Sequence, residues 1–460
     1  MNPPLLVSTW LPVLGDLALA LALLVGLLAV GTALGRSLGV HQWGIPEALL
    51  AGTLGLLIAP GGGLVALIPP RVIAIWDQLP LILLTLVFGT LLVGKPLPRL
   101  NGLLRPLGAQ VLLALTLAFG QYLVASLAVL LVLGPLLHVS PVMACLIEVA
   151  YEGGHGSAAA MGPTYERLGV DGGQALGLAM ATVGLLASTL VGGLVVVIAR
   201  ARGWLMPPPA AAPGSSQQPV AGEAADAAPG DRLSRWLINL ALVGIAVAIG
   251  CVLMALLQLL AARMGGGFAT VIDALPVFPL ALIGSLLVRL VLERLGAGEL
   301  ACTKVQSRIG TVSADLLIVA ATACLDLALL AQDWLPLTVL ALIGLAWNLA
   351  VVLLLARRSL PAPWFERGIL EFGQATGVAA SGLLLLNMAD PDDQSDALTP
   401  FSIKQLLMQP LLAGGVITVM APLAIASWGL PVWTGVCLGL TVLWIVLALL
   451  LGRLGVQEAP

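Results

Sequence analysis

The sequence predicts an all-α polytopic membrane protein: two inverted five-helix repeats, each with a re-entrant hairpin, then an extra C-terminal helix. Three observations predict it. Of the 460 residues, 60% are hydrophobic and 9% charged, and mean hydropathy is +1.07. A soluble chain this long needs far more charge to cover its surface. Uncharged runs of about 20 residues, the length of a membrane-crossing helix, recur throughout. Basic residues, finally, sort by loop in a way that fits one topology.

In chain order, spans are expected near 13–35, 47–69, 79–94, 107–136 and 174–199, then near 236–262, 274–292, 310–331, 334–356, 406–428 and 431–452. The start, MNPPLLVSTWLP, lacks the basic stretch of a signal peptide, so the first apolar run is expected to be a retained helix. Segments 141–161 and 368–389 are too rich in glycine and too interrupted for ordinary spans. They are expected to be re-entrant, which is tolerated at membrane depth only inside protein or beside a watery cavity. Residues 205–234 are dominated by Pro, Ala and polar residues and read as a disordered cytoplasmic linker. The linker separates a first repeat, 1–204, from a second, 235–428, with 429–460 as the added span and tail.

With the N-terminus outside and the C-terminus inside, 17 of the 20 Lys and Arg residues face the cytoplasm. Only Arg71, Arg167 and Arg263 face out. An odd number of spans in the first repeat makes the second enter in the opposite sense. GIPEALLAGTLGLLIAP (44–60) and DALPVFPLALIGSLLVR (273–289) open corresponding spans in the same way. Inverted repeats of this kind are the plan of secondary transporters.

Several function classes are excluded. The formal charge of −3 comes with no basic patch, so no nucleic-acid partner is expected. Cys145, Cys251, Cys302, Cys324 and Cys437 are scattered without CxxC spacing, so neither a resident metal nor a disulfide framework is expected. No HExxH or nucleophile constellation is present, and no enzyme is expected.

Chemistry concentrates in EVAYEGGHGSAAAMG, residues 148–162. On a helix, Glu148, Glu152 and His155 share a face. Gly153 and Gly154 then break the helix and permit close backbone approach. Ser157 is expected to cap the helix that resumes, whose amides attract an anion while carbonyls of the break hold a cation. The partner segment, EFGQATGVAASGLLLLNMADPDD (371–393), offers Gly373, Gln374, Thr376 and Asn387. Asp315 and Asp326, about three turns apart on the eighth span, are further candidates for binding a coupling ion.

GIPEALLAG (44–52), GGHGSAAAMGPTYERLG (153–169) and LGLAMATVGLLASTLVGGLVVVIAR (176–200) resemble the sodium/glutamate symporter family, as does ALPVFPLALIGSLLV (274–288). The resemblance runs over about residues 13–428. It implies a bacterial inner-membrane homodimer that couples sodium to the symport of glutamate or a related amino acid or carboxylate by an elevator-like motion. Sodium is the expected coupling ion, with no other cofactor, and the partners are a small-molecule substrate and the lipid bilayer. Gly153, Gly154, His155, Gly156 and Ser157 would line one side of the site, and Gly373, Gln374, Thr376 and Asn387 the other. Glu148, Glu152 and Asp315 depart from the family pattern and leave proton coupling to a different substrate as an alternative. A non-transporting sensor or structural subunit on the same fold is the other.

Overall fold

The computed structural model describes residues 3–39, 46–60, 66–94, 104–206, 229–266, 268–269, 272, 275–325, 333–391, 394–409 and 411–457. The linker beyond residue 206 and Asp326 lie outside them. Among the described residues every regular element is helical. The helices are α1 (Pro3–Leu38), α2 (Glu47–Ile58), α3 (Pro70–Thr90), α4 (Leu104–Leu137), α5 (Pro141–Tyr151), α6 (Gly154–Arg167) and α7 (Gly173–Ala201). There follow α8 (Pro229–Met264), α9 (Phe278–Arg294), α10 (Thr303–Ala323), α11 (Trp334–Ser359), α12 (Trp364–Ala389), α13 (Leu398–Met408), α14 (Val416–Trp428) and α15 (Leu430–Gln457).

Among the described residues, eight helices are long and apolar enough to cross a membrane: α1, α3, α4, α7, α8, α11, α12 and α15. The expected span 47–69 is corrected: α2 stops at Ile58, because Pro60 and three following glycines end it, and α3 starts at Pro70, earlier than the expected 79. The expected span 406–428 is also corrected, being two helices with a break between them. Gln409 precedes a proline, which disfavours helix, and Ala413 and Gly414 have φ of 56° and 97°. The expected span 310–331 begins earlier, at Thr303.

Small residues set the packing. In one group, α1, α2, α3 and α10 share an apolar core around Leu24, Ala51, Trp76 and Val319, and Trp76 Nε1 donates to the Ala20 carbonyl at 2.9 Å. Gly55 lies so close to Ala323 that a Cβ there would stand 2.8 Å from the alanine methyl. α8 and α9 meet likewise, a Cβ on Gly250 falling 2.7 Å from the Ala281 nitrogen. The α1 and α8 helices turn Leu14, Val25, Val30, Leu240, Val252 and Leu259 outward, the surface a lipid-facing helix presents. The last helix, α15, packs along α4, with Trp433 edge-on to Tyr122 at 5.5 Å between ring centroids.

At the centre stands α7. Its glycines form a stripe: Gly177 faces Ala158 of α6, Gly184 faces Tyr151 of α5 and the Thr376 carbonyl, and Gly192 faces Leu385 and Phe372 of α12. A stripe of this kind lets helix backbones approach closely in the membrane. Residues of both glycine-rich segments therefore lie on one helix.

The two segments fold back on themselves. In α12, Gly377 and Val378 leave helical geometry, Val378 with φ 66°. A Cβ on Gly373 would collide with the backbone of Gly382. A straight helix would hold those residues about 13 Å apart. Both ends of α12 lie at the C-terminal end of α7, where the Met206 N–H donates to Glu366 at 2.7 Å and Arg200 donates to the Met388 carbonyl at 2.8 Å. In the first segment the chain turns at Gly154, φ 67°. Tyr165, near the far end of α6, lies close to Glu148 and shares a buried cluster with Cys145 of α5. A straight path from Glu148 to Tyr165 would span about 25 Å, so α6 returns beside α5. The base of this fold-back lies at the N-terminal end of α7, where Gly173 packs against Tyr165.

Replacing Gly373 with valine should destabilise the fold by about 1–3 kcal/mol, because backbone at Gly382 cannot give way as a side chain can. Unfolding in detergent, followed by loss of the monodisperse species on heating, measures it.

Candidate functional site

The two fold-backs meet tip to tip. A Cβ on Gly154 would run into the Cγ1 of Val378, so only glycine fits this contact and this positive φ. A helix broken at membrane depth frees backbone groups that must be bonded elsewhere. Here unbroken neighbours supply the partners.

At the second tip the Ala375 carbonyl accepts from Gln121 Nε2 of α4 at 2.7 Å and from Asn348 Nδ2 of α11 at 2.9 Å. The same Asn348 amide donates to Thr376 Oγ1 at 3.0 Å, and Gln121 Nε2 also donates to Asn348 Oδ1 at 3.1 Å. Ser188 Oγ of α7 donates to the Gly373 carbonyl at 3.3 Å. At the first tip His155 Nε2 lies 3.0 Å from Thr182 Oγ1, whose own proton goes to the Leu178 carbonyl at 2.9 Å. Because that hydroxyl proton is committed, His155 Nε2 is the donor of the pair.

Glu148 closes the break between α13 and α14. Its Oε1 accepts from the Ala413 amide at 3.1 Å and from Thr418 Oγ1 at 2.9 Å, and its Oε2 accepts from the Tyr122 hydroxyl. Ser157 Oγ donates to the Ala413 carbonyl at 3.3 Å. One residue of the break is thus held at both its backbone groups. Lys404 and Glu371 form an ion pair at 2.8 Å with each side chain 1% exposed, and the ammonium lies 4.5 Å from the Phe401 ring centroid.

The structure sorts the residues picked from the sequence. Gly153, Gly154, His155, Gly156, Ser157, Gly373, Gln374 and Thr376 lie in or beside the two fold-back tips, all but Gly153 and Gly156 buried. Gly156 permits close approach of α3, a Cβ there falling 3.1 Å from Leu84 Cδ1. Asn387 is exposed, in the last turn of α12, away from the tip. Asp315 is half-buried on α10 near Glu47, in the other helical group. Ser157 is not a cap: it lies inside α6 and bonds Ala413. The expected shared face of Glu148, Glu152 and His155 is lost at the turn, since Glu148 points to α14 and His155 to α7.

Sequence reasoning missed Gln121, Asn348, Thr182, Thr418 and Lys404. Four lie within apolar helices, where an amide is costly unless bonded; that cost was the available signal for Gln121 and Asn348, whereas Lys404, on the short helix α13, read as a loop charge. Thr182 and Thr418 gave none, because hydroxyls satisfy themselves on their own helix.

A family model, described as sodium/glutamate symporter, matches residues 15–360. The chain belongs to the sodium/glutamate symporter family. The matched stretch contains the whole first fold-back and α7 and ends before α12, so the second tip, Glu371 and Lys404 lie beyond it. No curated protein and no solved structure matches the chain. A membrane-helical chain of this family is a transporter, and sodium is the coupling ion the family implies.

Removing one partner of a buried ion pair strands the other charge. Lys404→Met should therefore destabilise the protein by about 3–5 kcal/mol. The Lys404→Met, Glu371→Leu double variant should regain most of that, as unfolding of the purified protein in detergent would register.

Proposed function

We propose that this chain is a secondary active transporter that couples sodium to the symport of glutamate or a related amino acid or carboxylate. In this reading the fold-backs are re-entrant hairpins of two inverted repeats. They enter from opposite faces and travel with α7 as one body, elevator-like, past the group formed by α1, α2, α3 and α10. A cleft of about 100 Å³, lined by Asp77, Glu166, Gln174 and Cys324, lies between that group and α6–α7. It marks the boundary along which such a body would slide.

One observation carries the proposal: two glycine-turned tips, approaching α7 from its opposite ends, touch at Gly154 and Val378. A site between such tips opens to one side when one tip moves and to the other when its counterpart moves. Correspondence between the halves supports the inverted repeat. Glu148 precedes the turn glycine Gly154 by the same spacing with which Glu371 precedes Gly377. Gln121 and Asn348, from helices in matching positions, meet each other over the second tip. Substrate recognition falls to the tip groups, with His155 as a donor and Gln374 and Thr376 opposite. The bacterial inner membrane, an outside N-terminus and a homodimer belong to the same proposal, by analogy with the family.

Uptake of labelled glutamate into proteoliposomes under an imposed sodium gradient tests it. His155→Ala and Gly154→Leu should each abolish uptake while the protein still inserts at wild-type levels. Uptake in both at the wild-type rate would remove the tips from the mechanism. Binding without uptake of glutamate or any other amino acid would favour a sensor.

A further inference from the structure

Three carboxylates sit buried near the tips with one cation among them: Glu148 and Glu371 are 0% exposed, Glu152 5% and Lys404 1%. Two are accounted for. Glu148 accepts three hydrogen bonds, from Ala413, Thr418 and Tyr122, which satisfy an ionised carboxylate. Glu371 holds Lys404. Glu152 has neither: its Oε2 is buried without a hydrogen-bond partner. Its charged neighbours are Glu148 on α5, Glu371 on α12 and Lys404 on α13, the last already paired. His155 on α6 is turned to Thr182. In the sequence α7 and α11 carry charge only in their last turns, and α14 carries none.

The surroundings are also short of donors. Glu371 Oε1 and Gln374 Oε1, one turn apart on α12, are buried without partners as well. Among the described residues the acidic side chains do not converge as a set of three able to hold a metal ion. One added proton neutralises Glu152 and turns an acceptor into a donor in an acceptor-rich place.

We infer that Glu152 is a proton-binding site, carrying a proton in this conformation and releasing it when the tips move and water or Lys404 reaches its carboxylate. Its part in coupling rests on the carrier reading above. On that reading a proton crosses with the substrate, bound from one side and released to the other.

Infrared spectroscopy of the purified protein in liposomes at neutral pH tests the site without any substrate. The wild type should show a protonated-carboxyl band that shifts in deuterium oxide. Glu152→Gln should lose it, and Glu148→Gln should keep it. A wild type without the band, or a band lost in Glu148→Gln and kept in Glu152→Gln, overturns the assignment. The coupling is read separately, as alkalinisation of the medium during sodium-driven uptake. It should accompany uptake in the wild type and be lost per molecule transported in Glu152→Gln. Equal alkalinisation in both overturns proton carriage even if the band behaves as expected. A wild type that takes up nothing overturns proton carriage together with the carrier reading, and leaves the protonation of Glu152 to the spectrum.

Discussion

A helix may be interrupted inside a bilayer only where other protein groups take up the backbone it frees. That constraint organises this molecule. Three interruptions, at Gly153–Gly154, at Gly377–Val378 and between α13 and α14, lie close together. The second and third are tied down by side chains from elsewhere in the chain, and beside the first the His155 side chain meets Thr182 of α7. Gln121 and Asn348 hold the Ala375 carbonyl; Glu148 and Ser157 hold Ala413 from both sides. The continuous helices α4, α7 and α11 act as a frame that makes irregular backbone affordable at the centre. The first tip, in turn, carries the groups that hold the third break, so the interruptions depend on one another.

Much of this was legible in the sequence. Glycine clusters flanked by ionisable or amide residues in otherwise apolar runs marked both fold-backs, because such residues have no other use for that position. The span that carries Gly177, Gly184 and Gly192 was marked by the family resemblance, and its close approach to both fold-backs emerged from the structure. What escaped was whatever depends on contacts distant in sequence. The break between α13 and α14 read as one apolar span, since its glycines look like ordinary small residues until Glu148, 265 residues away, is seen to bond Ala413. Asn387 shared the composition of the site but lies in the wrong turn of its helix, which composition cannot reveal.

The buried charges divide by the same logic. A carboxylate given three donors is a strut, and one given a lysine is a neutral pair whose worth lies in specifying where α12 meets α13. Among the three carboxylates described near the tips, Glu152 is the one held neither by a lysine nor by a set of donors. Of the three residues that departed from the family pattern, Glu148 braces the fold, Glu152 is the proposed proton site, and Asp315 lies half-buried on α10 in the other helical group.

The contact between the tips is the claim on which the rest turns. A double-mutant cycle of Gly154→Ala and Val378→Ala, read as initial rates of sodium-driven uptake, tests it most directly. The contact predicts non-additivity: Gly154→Ala loses most uptake because its methyl meets Val378, and Val378→Ala in the same chain recovers a large part of it. Losses that simply add, to within about 0.5 kcal/mol, would contradict tips that meet.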